Sequence, residues 1–126
     1  MTRSPAEKLA LDVREAFNSY EDALRRNDID AMTAYFSASP DVVRFGISDM
    51  QHGPDELRVW RSAQPPLPPG RRLQDTAVLM TGADSAVITT LFDYPGRPML
   101  GRQTQVWVRH DGRWRIISAH VSEVPA

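Results

Sequence analysis

Residues 102–120 read RQTQVWVRHDGRWRIISAH, two β-branched and aromatic runs folded about Asp111-Gly112. Asp-Gly between alternating apolar residues is the signature of a two-residue type I′ hairpin, because both central positions need positive φ. Counting back from that turn pairs His110 with Arg113, Trp107 with Ile116, Val106 with Ile117, Gln105 with Ser118, Gln103 with His120 and Arg102 with Val121. Strand alternation then divides the hairpin into two faces. One holds Val106, Val108, Ile117, Ala119 and Val121, with Arg102 and Arg115 toward opposite ends; the other holds Gln103, Gln105, Trp107, Trp114, Ile116, Ser118 and His120. The aliphatic face is expected to pack on helices. The mixed face is expected outside, as a subunit contact or a half-wet surface, and a one-residue slip would exchange the two.

Outward from the hairpin, the remaining elements follow from capping and periodicity. Ser4-Pro5-Ala6-Glu7 opens a helix, and Leu9, Val13, Phe17, Tyr20 and Leu24 carry its apolar stripe to about residue 26. Asp28 caps a second, short helix with Ile29, Met32, Tyr35 and Phe36 facing inward, and SASP ends it. Asp41–Ile47 reads as a strand and SDMQHGPDE as turn-rich, after which Pro54-Asp55-Glu56 starts a third helix running to about Gln64. QPPLPPG is a stiff connection. From Arg72 onward the signals are all strand: RLQDTAVLM, SAVITTLFDY and the two arms of the hairpin. Helix, helix, strand, helix and four antiparallel strands make an α+β domain spanning 1–126, with three N-terminal helices on a curved, mainly antiparallel sheet. Three helices cannot fill the concave side of a long bent sheet, so a pocket is expected at its wide end.

Composition bounds the function. A chain of 126 residues with 41% hydrophobic and 25% charged residues is a single globular domain. A net charge of −1 offers no field for nucleic acid or an anionic membrane. No apolar run approaches the roughly 20 residues needed to cross a bilayer, MTRSPAEKLALD lacks an apolar h-region, and a cytoplasmic protein is expected. With no cysteine, and with His52, His110 and His120 scattered, neither a metal nor a cofactor is expected. Of the 15 basic residues 14 are arginine, the side chain best shaped to fork onto a carboxylate.

An arginine on an inner face is costly to bury unless an anion meets it. For Arg102 that anion is either a carboxylate of the first helix, such as Glu21 or Asp22, or a ligand. His120, alone on a mixed face, reads more readily as a hydrogen-bonded structural residue than as a catalyst.

RFGISDMQHG, LRVWR and LGRQTQVWVRHDGRWRIISAHVS together resemble a family of small bacterial NTF2-like (SnoaL-like) proteins, over about Phe17 to Ser122. Its members are encoded beside amidohydrolases for oxalurate and cyanuric-acid breakdown products. The hairpin is also similar to the association domain of calcium/calmodulin-dependent kinases. The resemblance implies a cystatin-like cone, a homodimer through the outer sheet face, and an arginine-rich pocket for small carboxylated or ureido acids. On matching positions it places Arg44, Arg61 and Arg102 around a carboxylate, with Tyr20 and Gln103 or Trp107 as further ligand contacts. His52 stands where tyrosine is expected, and Asp49 where relatives tend to carry glutamate. Each candidate has a plainer reading: Arg44 solvated, Arg61 paired with Glu56 or Asp55, Tyr20 in the core.

Catalysis is left open, because this fold hosts both enzymes and binders. Acid–base work would need a tuned pocket carboxylate, for which Asp22, Asp49 and Asp93 are the candidates. Three functions follow: a small-anion binder of ureide or s-triazine catabolism, with hydrolysis or decarboxylation of carboxylated ureas as its catalytic form; a non-catalytic partner of an amidase; and a SnoaL-type isomerase or lyase.

Overall fold

Helix α1 (Pro5–Arg25) begins where the capping pattern places it: the Ser4 side chain accepts the Glu7 backbone N–H at 3.1 Å, with Pro5 in the first turn. Its stripe of Val13, Phe17, Tyr20, Ala23 and Leu24 is buried, as is Glu21. Asp28 caps α2 (Ile29–Ala34) through the Ala31 N–H at 3.1 Å. The computed structural model describes residues 2–126, and no helix among them is long and apolar enough to cross a membrane.

The strand expected over Asp41–Ile47 is confined to β1 (Val43–Phe45), and the turn-rich stretch after it contains a second strand, β2 (Met50–His52). Both follow from pairing. Only residues 43–45 meet partners on two sides, antiparallel β2 and parallel β6 (Arg113–Pro125). Helix α3 (Gly53–Ala63) therefore follows two strands rather than the one expected. Strands β3 (Arg72–Gly82), β4 (Ser85–Asp93) and β5 (Met99–His110) complete an antiparallel meander with β6. The six-stranded mixed sheet runs β2-β1-β6-β5-β4-β3, with its concave face under the helices.

The hairpin starts as expected and then departs. Asp111 and Gly112 both have positive φ, 51° and 73°, as a type I′ turn requires. His110 pairs with Arg113 and Trp107 with Ile116, but Val106 then pairs with Ser118, Gln105 with Ala119, Gln103 with Val121 and Arg102 with Ser122. Ile117 is the extra residue of a β-bulge. It falls where β6 changes edge partner: Ile116 bonds with Tyr35 and Ser37 after α2, whereas Ser118 already pairs with Val43 of β1.

Two corrections follow. On β5 the inner face is Gly101, Gln103, Gln105 and Trp107, all buried, and the outer face carries Arg102, Thr104, Val106 and Val108. The expected assignment of β5 is reversed because a tryptophan that fills the core outweighs two valines. On β6 the bulge makes both halves turn inward in succession: Trp114 and Ile116 are buried, then Ala119, while Ser118 and His120 are exposed. Arg102 thus lies outside, its Nε donating to Ser122 Oγ at 3.1 Å, and Arg115 is not on the inner face either.

The core sits at the narrow end. Val13, Phe17, Ile88, Trp107 and Ile116 are essentially inaccessible. Tyr20 meets Tyr35, Phe36 and Trp107 edge-on, with ring centroids 5.9–6.5 Å apart.

Candidate functional site

At the wide end the helices and sheet diverge around a cavity of about 330 Å³, within the range of small-molecule sites. Tyr20 and Leu24 of α1, Trp60 and Arg61 of α3, and Leu67 and Pro68 of the proline-rich connection form one side. Gln103 and Gln105 of β5 and Ala119, Val121 and Glu123 of β6 form the other. Four arginines reach it: Arg44, Arg61, Arg71 and Arg97.

Three of the four are already neutralised. Arg44, expected either in the site or solvated, is buried. Its Nη1 donates to Asp49 Oδ1 at 2.8 Å and Gln51 Oε1 at 3.0 Å, while Gln51 Nε2 donates to the same Asp49 oxygen at 2.8 Å. Gly46 permits this, since a Cβ there would lie 2.3 Å from Asp49 Oδ1. Arg71 forks onto Glu21, Nε to Oε1 at 2.8 Å and Nη2 to Oε2 at 3.3 Å, and its Nη1 donates to the Tyr94 hydroxyl at 3.1 Å. It lies 4.3 Å from the Phe92 ring centroid. Burial alone would lower the Arg71 pKa, but the hydrogen bonds and charge of Glu21, aided by Tyr94, turn it upward. At the mouth, Arg97 Nη2 donates to Glu123 Oε2 at 2.8 Å, with Nη1 2.6 Å from Oε1.

Arg61 is different. It has neither a carboxylate partner nor a side-chain hydrogen bond among the described residues, only a cation–π contact at 4.7 Å with Trp60, whose ring Arg44 also approaches to 4.8 Å. The expected pairing with Glu56 does not form; that carboxylate instead accepts the His52 backbone N–H at 3.0 Å. Burial pulls the Arg61 pKa below its ordinary value. Tyr20 and Asp49 act in the opposite sense, and the cations Arg44 and Arg71 add to the lowering. One guanidinium among four is left without a counter-charge, facing a cavity.

The cavity therefore brings together four of the six expected ligand contacts, Tyr20, Arg44, Arg61 and Gln103. It does not include Arg102, which is on the convex surface, or Trp107, which lies deeper and is fully buried. Sequence reasoning missed Arg71 and Gln105 and left Glu21 as a partner for the wrong arginine. A signal for Arg71 existed: Glu21 sits between Phe17 and Leu24 on the apolar stripe of α1, and a carboxylate there requires a buried cation. Of the proposed acid–base carboxylates, Asp49 lines the cavity, whereas Asp22 pairs with Arg26 on the surface and Asp93 with Arg72. Among the described residues no three His, Asp or Glu side chains cluster as metal ligands would.

The sequence profile of the AtzH-like family matches residues 5–126. The chain belongs to the AtzH-like family. A cystatin-like fold protein from Burkholderia xenovorans LB400 is 41% identical, with a TM-score of 0.90 over 94% of each chain. A DUF3225-family protein of unknown function from Pectobacterium atrosepticum SCRI1043 is 37% identical, with a TM-score of 0.89 over 93% of this chain and 91% of that one. An NTF2-like protein of unknown function from Pseudomonas putida KT2440, 20% identical with a TM-score of 0.75 over 96% and 89%, shares the fold alone. No curated protein matches.

Proposed function

We propose that this AtzH-like protein binds a small carboxylate in the wide-end cavity and serves ureide or s-triazine nitrogen catabolism. The observation that carries the reading is Arg61, a half-buried guanidinium with no carboxylate partner among the described residues. A partly desolvated cation without a partner is costly, and an entering carboxylate would satisfy it with charge-assisted hydrogen bonds. Tyr20, whose hydroxyl has no protein hydrogen bond among the described residues, lines the same cavity and acts electrostatically on Arg61. Family membership supplies the metabolic setting, and the cavity's size suits molecules of the ureido-acid class.

Titration calorimetry with a panel of small ureido and dicarboxylic acids tests this. Wild type gives heat with at least one, and Arg61→Ala weakens that binding on the order of tenfold to a hundredfold. Silence from every acid, or unchanged affinity in Arg61→Ala, overturns it.

One observation favours catalysis as well. Asp49 accepts two hydrogen bonds on Oδ1, while Oδ2 has no protein donor among the described residues. A carboxylate held this way beside Arg61 suits proton transfer during hydrolysis or decarboxylation of a carboxylated urea. Turnover abolished in Asp49→Asn, with ligand binding retained, is the expected result.

The convex face supports a homodimer. Phe45 and Met50 are about half or more exposed there, Ile117 and, toward the far edge, Leu79 are exposed as well, and the Phe45 ring lies 5.6 Å from His120. Sedimentation should show a dimer that Phe45→Lys weakens. Co-purification with an amidase that is unaffected by Arg61→Ala would favour an accessory role instead.

A further inference from the structure

Two glutamines on the cavity floor are wired in opposite senses. Gln103 and Gln105 are 6% and 2% exposed and project from the same face of β5, their Cα atoms about 6.6 Å apart along the strand. An amide side chain can present either its carbonyl or its NH₂ to a given neighbour, and the neighbour decides which. Gln103 meets the Glu21 carboxylate at 3.3 Å. Both oxygens of that group already accept from Arg71, so Gln103 points its Nε2 at Glu21 and keeps its carbonyl Oε1 for something else. Gln105 meets the indole Nε1 of Trp107 at 2.9 Å. An indole N–H can only donate, so Gln105 must turn its carbonyl to Trp107 and keep its NH₂ free.

Both remaining amide atoms lack a protein partner among the described residues, and both glutamines line the cavity. The floor thus displays an acceptor, Gln103 Oε1, followed by a donor, Gln105 Nε2, in an order that neither side chain can reverse without breaking a buried hydrogen bond. Among the described residues the only uncompensated cation lining the same space is Arg61.

Resting on the carboxylate-binding reading above, we infer that the site selects monocarboxylates carrying a carbamoyl or other secondary-amide group. The carboxylate meets Arg61, the ligand N–H donates to Gln103 Oε1, and the ligand C=O accepts from Gln105 Nε2. A second carboxylate in place of the amide gains the Gln105 donor but sets its charge against the Gln103 carbonyl, with no second free cation to offset it. A hydrocarbon in that place displaces water from both glutamines and returns nothing, which leaves buried polar groups unpaired. Sites built around hydrogen bonds discriminate most strongly against ligands that lack them.

The experiment uses three acids of nearly the same shape: N-carbamoylglycine, succinate and 4-methylpentanoate. Titrated into wild type, N-carbamoylglycine is expected to bind on the order of tenfold or more tightly than either of the others. In the neutral Gln105→Met both ratios fall toward one, and in Gln105→Glu, which keeps an acceptor for Trp107 but has no donor, the ratio to 4-methylpentanoate does so. The ratio between these two monoanions cancels any electrostatic change that affects their carboxylates alike. If the three acids bind wild type within about twofold of one another and all depend on Arg61, the amide selection is wrong and the carboxylate site stands. If none binds in an Arg61-dependent way, the carboxylate reading fails and takes this inference with it. Should both Gln105 variants fail to fold, the wild-type ratio alone decides.

Discussion

The two ends of one strand face show how this cone divides its labour. Along β5 the inward positions run Gly101, Gln103, Gln105 and Trp107, all buried on the concave side. Trp107 sits among Tyr20, Tyr35 and Ile116, where close packing of aromatic rings sustains the fold. Two residues away the same face carries amides, and beyond them the guanidinium–carboxylate pairs of Arg71 and Glu21. The narrow end is satisfied by shape and the wide end by polar pairing. At that end Arg61, Gln103 Oε1, Gln105 Nε2, Asp49 Oδ2 and the Tyr20 hydroxyl have no protein hydrogen bond among the described residues.

That contrast breaks if truncation costs the same at both ends. The largest loss is expected at Trp107→Ala, about 3–5 kcal/mol in chemical denaturation, from the cavity it leaves in the aromatic cluster. Glu21→Ala should follow at about 3 kcal/mol, because it strands Arg71 against Phe92 with no counter-charge. The same variant sharpens the comparison, since Arg71 becomes a second free cation and succinate should gain affinity relative to N-carbamoylglycine in calorimetry. Gly101→Ala should cost about 1–3 kcal/mol, as its Cβ would lie 2.1 Å from the Phe92 ring that supports Arg71. Smallest of all, Arg102→Ala should stay within about 0.5 kcal/mol of wild type in denaturation and leave every ligand titration unchanged.

Arg102 is also where the sequence was least legible. The Asp111-Gly112 turn was readable because positive φ at two successive residues leaves few other choices, and Ser4 and Asp28 were readable because caps act locally. The inward face of β5 was not, because the rule that aliphatic residues go in and polar ones out fails where a cavity wants amides. The bulge at Ile117 was invisible for another reason: it answers a change of neighbour, from residues 35–37 to β1, and those neighbours are remote in sequence. Arg44 and Arg61 could be named from the family resemblance, but only the structure shows that Asp49 pairs with the first and that the second has no carboxylate partner among the described residues.

The bulge carries one more consequence. Because Ile117 shifts the phase of β6, Ala119, Val121 and Glu123 face the cavity while Ser118, His120 and Ser122 face away. Flattening the bulge, so that Ile117 pairs in the ladder opposite Val106, would exchange the two sets. Serines and a histidine would then line the chamber in place of alanine, valine and glutamate, while the turn and the aromatic cluster beyond it kept their register. A lineage of such cones can therefore change what it handles by making or flattening one bulge, without replacing any lining residue.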